Sequence, residues 1–344
     1  MEIALHAPGL GYYSAGARKF GAAGDFITAP ESGPLFARVL ARQAAQVLRS
    51  GVVNIIEFGA GSGRLARDLL AALAALDCLP QRYLILETSA ELKARQRDLL
   101  EHELPRLASR VAWLDSLPAS LSALVIGNEV LDAMPVHIIR TRADGIDELG
   151  VTATAAGFEW SARPAAGEVL EDARKLNPGA GYTTEIHLAA AAFVRTLASA
   201  LSSGVALLID YGFPAREYYH PQRSAGTLMC HYRHHAHADP LCLPGLQDIT
   251  AHVDFSALAH VAADAGLDVL GYTNQAQFLI NCGITDVLAA APTEDAAAYA
   301  PLAAQAQRLT SPAEMGELFK VVAFGRSFAA PLIGFARGDK RHAL

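Results

Sequence analysis

Paired cysteines are missing from this sequence. Its four, Cys78, Cys230, Cys242 and Cys282, are scattered with no repeated spacing, which argues against a disulfide framework and reads as reduced thiols in a cytosol. Apolar runs of membrane length are missing too: Leu188–Leu201 is broken by Arg195, and Val205–Ile209 is only strand-length. The opening Met-Glu-Ile-Ala-Leu-His-Ala-Pro lacks the basic-then-apolar order of a secretory signal and the arginine-rich character of a transit peptide. A basic stripe is also lacking, since 28 Lys and Arg stand against 35 Asp and Glu, a balance that argues against non-specific nucleic-acid binding. No internal repeat, coiled coil or low-complexity linker interrupts the 344 residues, a length that suits one elaborated domain or a core with a subdomain. These absences predict a cytoplasmic chain that neither enters a membrane nor binds nucleic acid.

What is present centres on one stretch. Asn54-Ile-Ile-Glu-Phe58 is a short apolar run carrying a carboxylate near its end, the pattern of a buried parallel strand. Glycines follow at 59, 61 and 63, and then Leu65, Leu69, Leu73 and Leu76 recur at helical spacing. Strand therefore turns through glycine straight into helix, which lets backbone approach a ligand and aims free N–H groups at an anion. A dinucleotide fingerprint wants Gly-x-Gly-x-x-Gly. Here Arg64 holds the last position, Gly63 comes one residue early, and Glu57 stands two residues before the first glycine. This acid-x-Gly-x-Gly-x-Gly order resembles the first motif of class I S-adenosylmethionine methyltransferases, whose donor brings a carboxylate for the loop N–H groups and an amino group that wants an acid nearby. A tight turn without ligand is the plain alternative, although each glycine costs a helix start about 0.5–1 kcal/mol.

Along the rest of the chain, Leu35–Leu48 reads as a helix with Leu35, Val39, Ala44 and Val47 inward. Tyr83–Glu87, Arg110–Asp115 and Ala123–Gly127 read as the second to fourth strands, with Ser89 capping a helix after the second. Val136–Arg142, Glu148–Ala155 and Phe158–Arg163 alternate apolar and polar residues around turns at Asp144-Gly145 and Ala156-Gly157, which predicts an inserted antiparallel meander. Helices at Val169–Leu176 and Leu188–Leu201 lead to a fifth strand, Val205–Gly212. Pro214–Asp254 reads as a long irregular insertion rich in aromatics and histidines. Asp254 caps a helix to Ala265 that Gly266 stops, Leu267–Tyr272 is the sixth strand, and helices at Gln275–Cys282 and Ala296–Leu309 precede the seventh, Leu318–Phe324. The predicted architecture is α/β, a doubly wound seven-stranded sheet, mostly parallel, with the meander and helices inserted. It divides into a covering N-terminal loop and helix (1–53), a ligand-binding half-sheet (54–135), the inserted meander and helices (136–204) and the second half-sheet (205–344). The opening is rich in glycine and proline yet carries Tyr12, Tyr13, Phe20, Phe26 and Ile27, so it packs over something.

Three acids, Glu57, Glu87 and Asp115, end successive strands at the edge where an open α/β sheet has its ligand crevice. Glu87 is placed to accept both ribose hydroxyls of an adenosine, and Asp115 to receive the adenine amino group. Each acid alone is as well explained by a helix cap or a solvated strand end; three in register beside a glycine loop point to an adenosyl site. Asn128, Glu129 and Asp132 lie at the next strand end, where a transferred methyl group would emerge. A carboxylate pair suits a cationic acceptor and can hold a guanidinium in bidentate fashion; a capped turn before Pro135 is the alternative. His231, His234, His235 and His237, with Cys230 and Cys242 nearby, match no structural zinc spacing. No metal is expected there. The stretch reads instead as a loop lining the substrate cleft, with His234 a polar contact or proton acceptor.

With these residues in place the chain resembles, almost end to end, the MidA-type proteins, whose mitochondrial members are complex I assembly factors acting as protein arginine methyltransferases. The likeness rests on Ala4–Ser14, Gly24–Glu31, Glu57–Gly63, Glu87–Ser89, Asn128–Val136, Leu207–Gly212, Asp239–Leu241, Asp248–Phe255 and Met315–Val321. Gly-Asp-Phe-Ile-Thr at 24–28 and Asn-Glu-x-x-Asp-Ala-x-Pro at 128–135 are far more specific than the glycine motif. The resemblance implies a class I methyltransferase fold, S-adenosyl-L-methionine as donor, S-adenosyl-L-homocysteine as product, and a segment 24–31, with Phe26 and Thr28, folded over the cofactor. For the mitochondrial relatives the acceptor is an arginine on a complex I subunit, dimethylated symmetrically. Two departures stand out. Family members usually carry a helical preamble before the Ala-Leu-x-x-Pro segment in which this chain starts, so part of the core is expected to be uncovered. The glycine loop also reads Gly-Ala-Gly-Ser-Gly where many relatives have proline or arginine within it.

The resulting expectation is a methyltransferase acting on a protein arginine. Gly59, Gly61 and Gly63 hold the methionine moiety, Glu87 the ribose and Asp115 the adenine, and Glu129 with Asp132 faces the acceptor. A small-molecule methyltransferase and a scaffold that binds the donor without turnover are the alternatives, and pairing of two chains stays open.

Overall fold

The structure, a computed structural model, describes residues 1–14, 28–176, 179–291 and 295–344. Its framework follows from strands too apolar to face water on either side. In chain order these begin with β1 (Asn54–Phe58), β2 (Arg82–Leu86), β3 (Val111–Leu114) and β4 (Leu121–Asn128). The meander follows as β5 (His137–Thr141), β6 (Ile146–Thr154) and β7 (Gly157–Pro164), then β8 (Thr183–Ile186) and the long β9 (Leu201–Phe213). Three short strands, β10 (Met229–Tyr232), β11 (His235–His237) and β12 (Asp248–Thr250), precede β13 (Val253–Asp254), β14 (Asp268–Asn274) and β15 (Phe319–Arg326).

The main sheet runs β14-β15-β9-β4-β1-β2-β3, with β13 extending the end of β9. Neighbours from β9 to β3 are parallel, and β15 is antiparallel to both β9 and β14. The expected seven strands form one path, mostly parallel. Alternation along each strand feeds two cores: Ile55, Leu124 and Ile126 pack on one side with the helices Leu35–Arg49 and Arg64–Ala75. Ile56, Ala123 and Val125 pack on the other with Leu188–Ala200 and Phe255–Asp264. Each fully buried leucine on these faces is worth about 1.5–3 kcal/mol relative to exposure. From β1 the chain builds β2 and β3 on one side and β4 on the other. The carboxyl ends of β1 and β4 therefore flank the switch point where a ligand crevice opens.

Three features differ from the sequence expectation. The meander has a fourth strand, because β8 pairs with β5; its four residues are too few to announce a period. The insertion after β9 contains the small sheet β11-β10-β12 in place of irregular chain. The helix Leu188–Ala200 hands over to β9 at Leu201, so the strand begins four residues early. Among the described residues no helix is long and apolar enough to cross a membrane.

Where β9 lies against β4, Gly204 has φ 125°, and a Cβ there would sit 2.1 Å from the Ala123 carbonyl oxygen. Gly204→Ala is expected to lower the unfolding free energy by about 2 kcal/mol or more, seen as a fall in the urea midpoint; an unchanged midpoint would show that the strands separate there at no cost.

Candidate active site

The turn after β1 is set by backbone that side chains resist. Gly59, Gly61 and Gly63 have φ of 61°, 52° and 85°, all left-handed. The helix that follows has no side-chain cap from Gly63; the Arg64 N–H donates to Ser62 Oγ at 3.4 Å, and Leu65, next in the first turn, lines the cavity. Arg64, the residue that spoils a dinucleotide fingerprint, has a local task. Its Nε lies 3.4 Å from Glu31 Oε2, its Nη1 donates to the Glu31 carbonyl oxygen at 3.3 Å, and the Ser62 hydroxyl donates to Glu31 Oε1. Residues 28–32 are thereby fastened beside the glycine turn, with Thr28 buried and lining the same cavity. Phe26 lies outside the described residues.

At the end of β1, Glu57 is 2% exposed and accepts a 2.6 Å hydrogen bond from the Tyr83 hydroxyl. Burial raises its pKa to about 7, against the pull of Tyr83 and with help from the Glu87 charge. Glu87 Oε1 accepts from the Ser89 N–H at 2.9 Å and Oε2 from Gln96 Nε2 at 3.2 Å. A carboxylate has about four acceptor positions, so two are left for a ligand. Gln96 is a residue the sequence did not flag. Wholly buried, it also donates to the Gly61 carbonyl oxygen at 2.9 Å and accepts from Trp113 Nε1 at 2.8 Å, tying the glycine turn, Glu87 and β3 together. Asp115 corrects the reading of the third strand. β3 ends at Leu114, and the Asp115 side chain is 92% exposed and ion-paired with Lys93, apart from the residues that line the cavity.

The acid turn after β4 is pinned by Asp210 at the end of β9. Its Oδ2 accepts the N–H groups of Val130 (3.1 Å), Leu131 (2.9 Å) and Asp132 (3.3 Å), and Oδ1 that of Tyr211 (3.0 Å). Glu129 sits at φ 54° and its Oε1 accepts from Asn128 Nδ2 at 3.0 Å; such a non-glycine backbone costs about 1–3 kcal/mol. Asp132 Oδ2 accepts from the Tyr211 hydroxyl at 2.5 Å. Burial, and then the neighbouring Asp132 charge, pushes the Glu129 pKa up to about 8, and burial raises Asp132 to about 6 against the Tyr211 bond. Asp210 is also raised, by burial and then by the charges of Asp132 and Glu129. Asn128 Oδ1 and Asp132 Oδ1 are buried without a hydrogen-bond partner among the described residues. Sequence reasoning missed Asp210 and Tyr211 as site residues, although an acid ending a strand at Asp210 was the available signal.

His234 is the second correction. It and Arg233 form the tip of the β10–β11 hairpin, at φ 63° and 48°, exposed and outside the cavity lining. The chain makes a two-residue turn there, and such turns demand positive φ at both positions. Among the described residues no group of three or more His, Cys, Asp or Glu is arranged to hold a metal ion.

Glu57, Gly59, Gly61, Glu87, Asn128, Glu129 and Asp132 all line one cavity of about 780 Å³, within the range of small-molecule sites. A family model described as "Putative S-adenosyl-L-methionine-dependent methyltransferase" matches residues 36–273. The chain belongs to this family. The methyltransferase is 54% identical to a Burkholderia thailandensis protein crystallised with S-adenosyl-homocysteine, at a TM-score of 0.96 over all of this chain and 90% of the other. It is 29% identical to the Caenorhabditis elegans protein arginine methyltransferase NDUFAF7 homolog, over 83% of this chain and 72% of that one. With the Drosophila melanogaster homolog it shares 28% identity over 98% and 84% of the two chains. Its fold is that of the class I methyltransferases, and its cofactor is S-adenosyl-L-methionine. Left-handed glycines opening into a helix start, the spare acceptors of Glu87 and the orphaned oxygens of Asn128 and Asp132 fit that ligand.

Two outcomes test the geometry. Gly61→Val places a β-branched side chain at φ 52° in the ligand turn, and is expected to weaken S-adenosylhomocysteine binding at least tenfold by calorimetry while the circular dichroism spectrum holds; unchanged affinity would remove the turn from the site. The second concerns pH. A carboxyl whose folded pKa lies above its unfolded value stabilises the fold below that unfolded value, and the contribution is lost as pH rises through the folded one. His187 and His252, lowered to about 4 by burial, act oppositely and only below the ordinary histidine value of 6.5. Between pH 6.5 and 8, therefore, the ligand-free protein is expected to lose stability, by at most about 1.4 kcal/mol per pH unit for each titrating acid. Glu129→Gln flattens the slope in urea titrations; an equal slope in the variant would show that Glu129 is already ionised.

Proposed function

We propose that this methyltransferase modifies the guanidinium of a protein arginine, with Glu129 and Asp132 as the acids that receive it. The observation that carries the reading is a pair of carboxyls lining the cofactor cavity, Asp132 buried and Glu129 half-buried, with no Lys or Arg ion-paired to either among the described residues. Buried acids that lack a counter-charge favour a cationic ligand, because its charge offsets both their desolvation and their mutual repulsion. The names of the curated relatives, protein arginine methyltransferases, agree with an arginine acceptor.

When bound, S-adenosylmethionine supplies a methyl group on a positively charged sulfur for in-line displacement. In this reading the left-handed turn at 59–63 receives the methionine moiety, with Gly59 and Gly61 lining the cavity and Gly63, whose N–H is spent on the Ala60 carbonyl oxygen at 2.8 Å, shaping the turn, and Glu87 takes the ribose hydroxyls. Leu86, Ser89 and Leu92 line the cavity on the side of Glu87, and we assign them the adenine in place of Asp115. Glu129 and Asp132 orient the guanidinium and bias its charge towards one nitrogen, leaving the other with lone-pair character for attack. Asp210 holds the turn on which both acids sit.

The test uses tritiated S-adenosylmethionine and a synthetic arginine peptide. Glu129→Gln and Asp132→Asn are expected to lower methyl transfer at least a hundredfold, with S-adenosylhomocysteine affinity within threefold of the parent. Equal transfer by the variants would refute the acceptor role.

A further inference from the structure

Two aromatic rings from the N-terminal stretch line the same cavity, and the account of cofactor and acids uses neither. His6 and Tyr13 stand with ring centroids 5.6 Å apart and planes 17° from parallel. Both are anchored beside the acid turn. His6 Nε2 lies 3.3 Å from the carbonyl oxygen of Ala133, the residue after Asp132. The Tyr13 hydroxyl donates to Asp248 Oδ1 at 2.8 Å. The backbone holds the arrangement, since the Tyr12 N–H donates to the Ala4 carbonyl oxygen and the Tyr13 N–H to that of Leu5, each at 2.8 Å. Leu5 and Tyr12 below them pack with Cys230 and Ile249 as a small separate core. The rings are thus fixed to the protein at both ends, one at the mouth and one further in: His6 is exposed and Tyr13 half-buried.

We propose that the His6–Tyr13 pair walls the acceptor subsite and selects a planar cation, a guanidinium, over a tetrahedral ammonium. The inference rests on the acceptor role of Glu129 and Asp132 given above and adds what those acids cannot supply. Carboxylates attract either cation. A guanidinium is flat, weakly hydrated and stacks on aromatic faces, whereas an ammonium is compact and strongly hydrated. Acids set the charge of the acceptor, and the rings set its shape.

The test measures binding of two uncharged-end tripeptides, N-acetyl-Gly-Arg-Gly-amide and N-acetyl-Gly-Lys-Gly-amide, to the full chain saturated with S-adenosylhomocysteine, by NMR titration. The parent is expected to prefer the arginine peptide about tenfold, or about 1.4 kcal/mol. Tyr13→Leu should bring that ratio to within threefold of unity, chiefly by weakening the arginine peptide, with S-adenosylhomocysteine affinity unchanged. Tyr13→Phe, which keeps the ring and loses the bond to Asp248, should retain the preference, and it guards against a Leu variant that fails to fold. Preference kept in a folded Tyr13→Leu, or lost in Tyr13→Phe, overturns the proposal. A parent that binds both peptides equally overturns it too while leaving a cationic acceptor standing. A parent that binds neither refutes the acceptor role of the acids itself.

Discussion

One buried carboxylate, Asp210, fixes the turn that carries Glu129 and Asp132, the acids proposed to receive the acceptor. The turn after β4 carries two acids, and left to itself it would swing them into water. Asp210 prevents this by accepting three successive N–H groups of that turn and the N–H of Tyr211. The opposing terms are comparable. Two unit charges roughly 5 Å apart repel by about 3 kcal/mol at an effective dielectric of about 20, while each hydrogen bond to a charged group returns about 1.5–3 kcal/mol. Several such bonds outweigh one repulsion but not the desolvation of all the neighbouring acids. The surplus appears as raised proton affinity in Glu129, Asp132 and Asp210. On the proposed reading, a site that holds protons for want of a counter-charge exchanges them for the cation of the acceptor.

The cofactor end obeys a different rule, completeness of hydrogen bonding in a dry place. Gln96 can satisfy its amide only by reaching Gly61, Glu87 and Trp113 together, and all three are in range. That requirement places a backbone turn, a carboxylate and an edge strand in fixed relation. An unmade bond at any of them would cost about 1–3 kcal/mol. The same logic explains Arg64: the position a dinucleotide fold gives to glycine, for close helix–strand packing, here carries a side chain that fastens residues 28–32 beside the turn.

Much of this was legible in the sequence. Asn54–Phe58 emerges as a strand with the bounds read from it, because a buried parallel strand and a glycine turn leave few other options. Ser89 and Asp254 cap their helices through side chains that accept from Leu92 and Ala257, since capping is a local interaction. Asp115 misled because a place just past a strand end does not by itself aim a side chain: β2 and β3 both stop one residue before their acid, but Glu87 is held inward by the Ser89 N–H and Gln96 while Asp115 pairs with Lys93 in solvent. His234 misled because composition says nothing of direction; a tight hairpin turned the residue to solvent. Gln96 was invisible. In a helix with eight charged or histidine residues among its fourteen, a glutamine reads as surface, and only its spacing of four from the buried Leu100 marks the inward face.

Glu129 gathers several local penalties in one residue: left-handed backbone, burial, and carboxyl neighbours of its own sign. Replacing it by glycine would relieve the backbone, and replacing it by glutamine would relieve the charge, so stability alone offers no reason for glutamate there. Strain and perturbed proton affinity accumulate where a surrounding structure over-determines a residue for some other purpose. The neighbours supply that over-determination. Asn128 braces the side chain, the Ile209 carbonyl oxygen takes its N–H at 2.9 Å, and Asp210 clamps the three residues that follow. On the proposed reading, the charge of the acceptor is the purpose for which so many bonds hold one unfavourable acid in place beside the cofactor cavity.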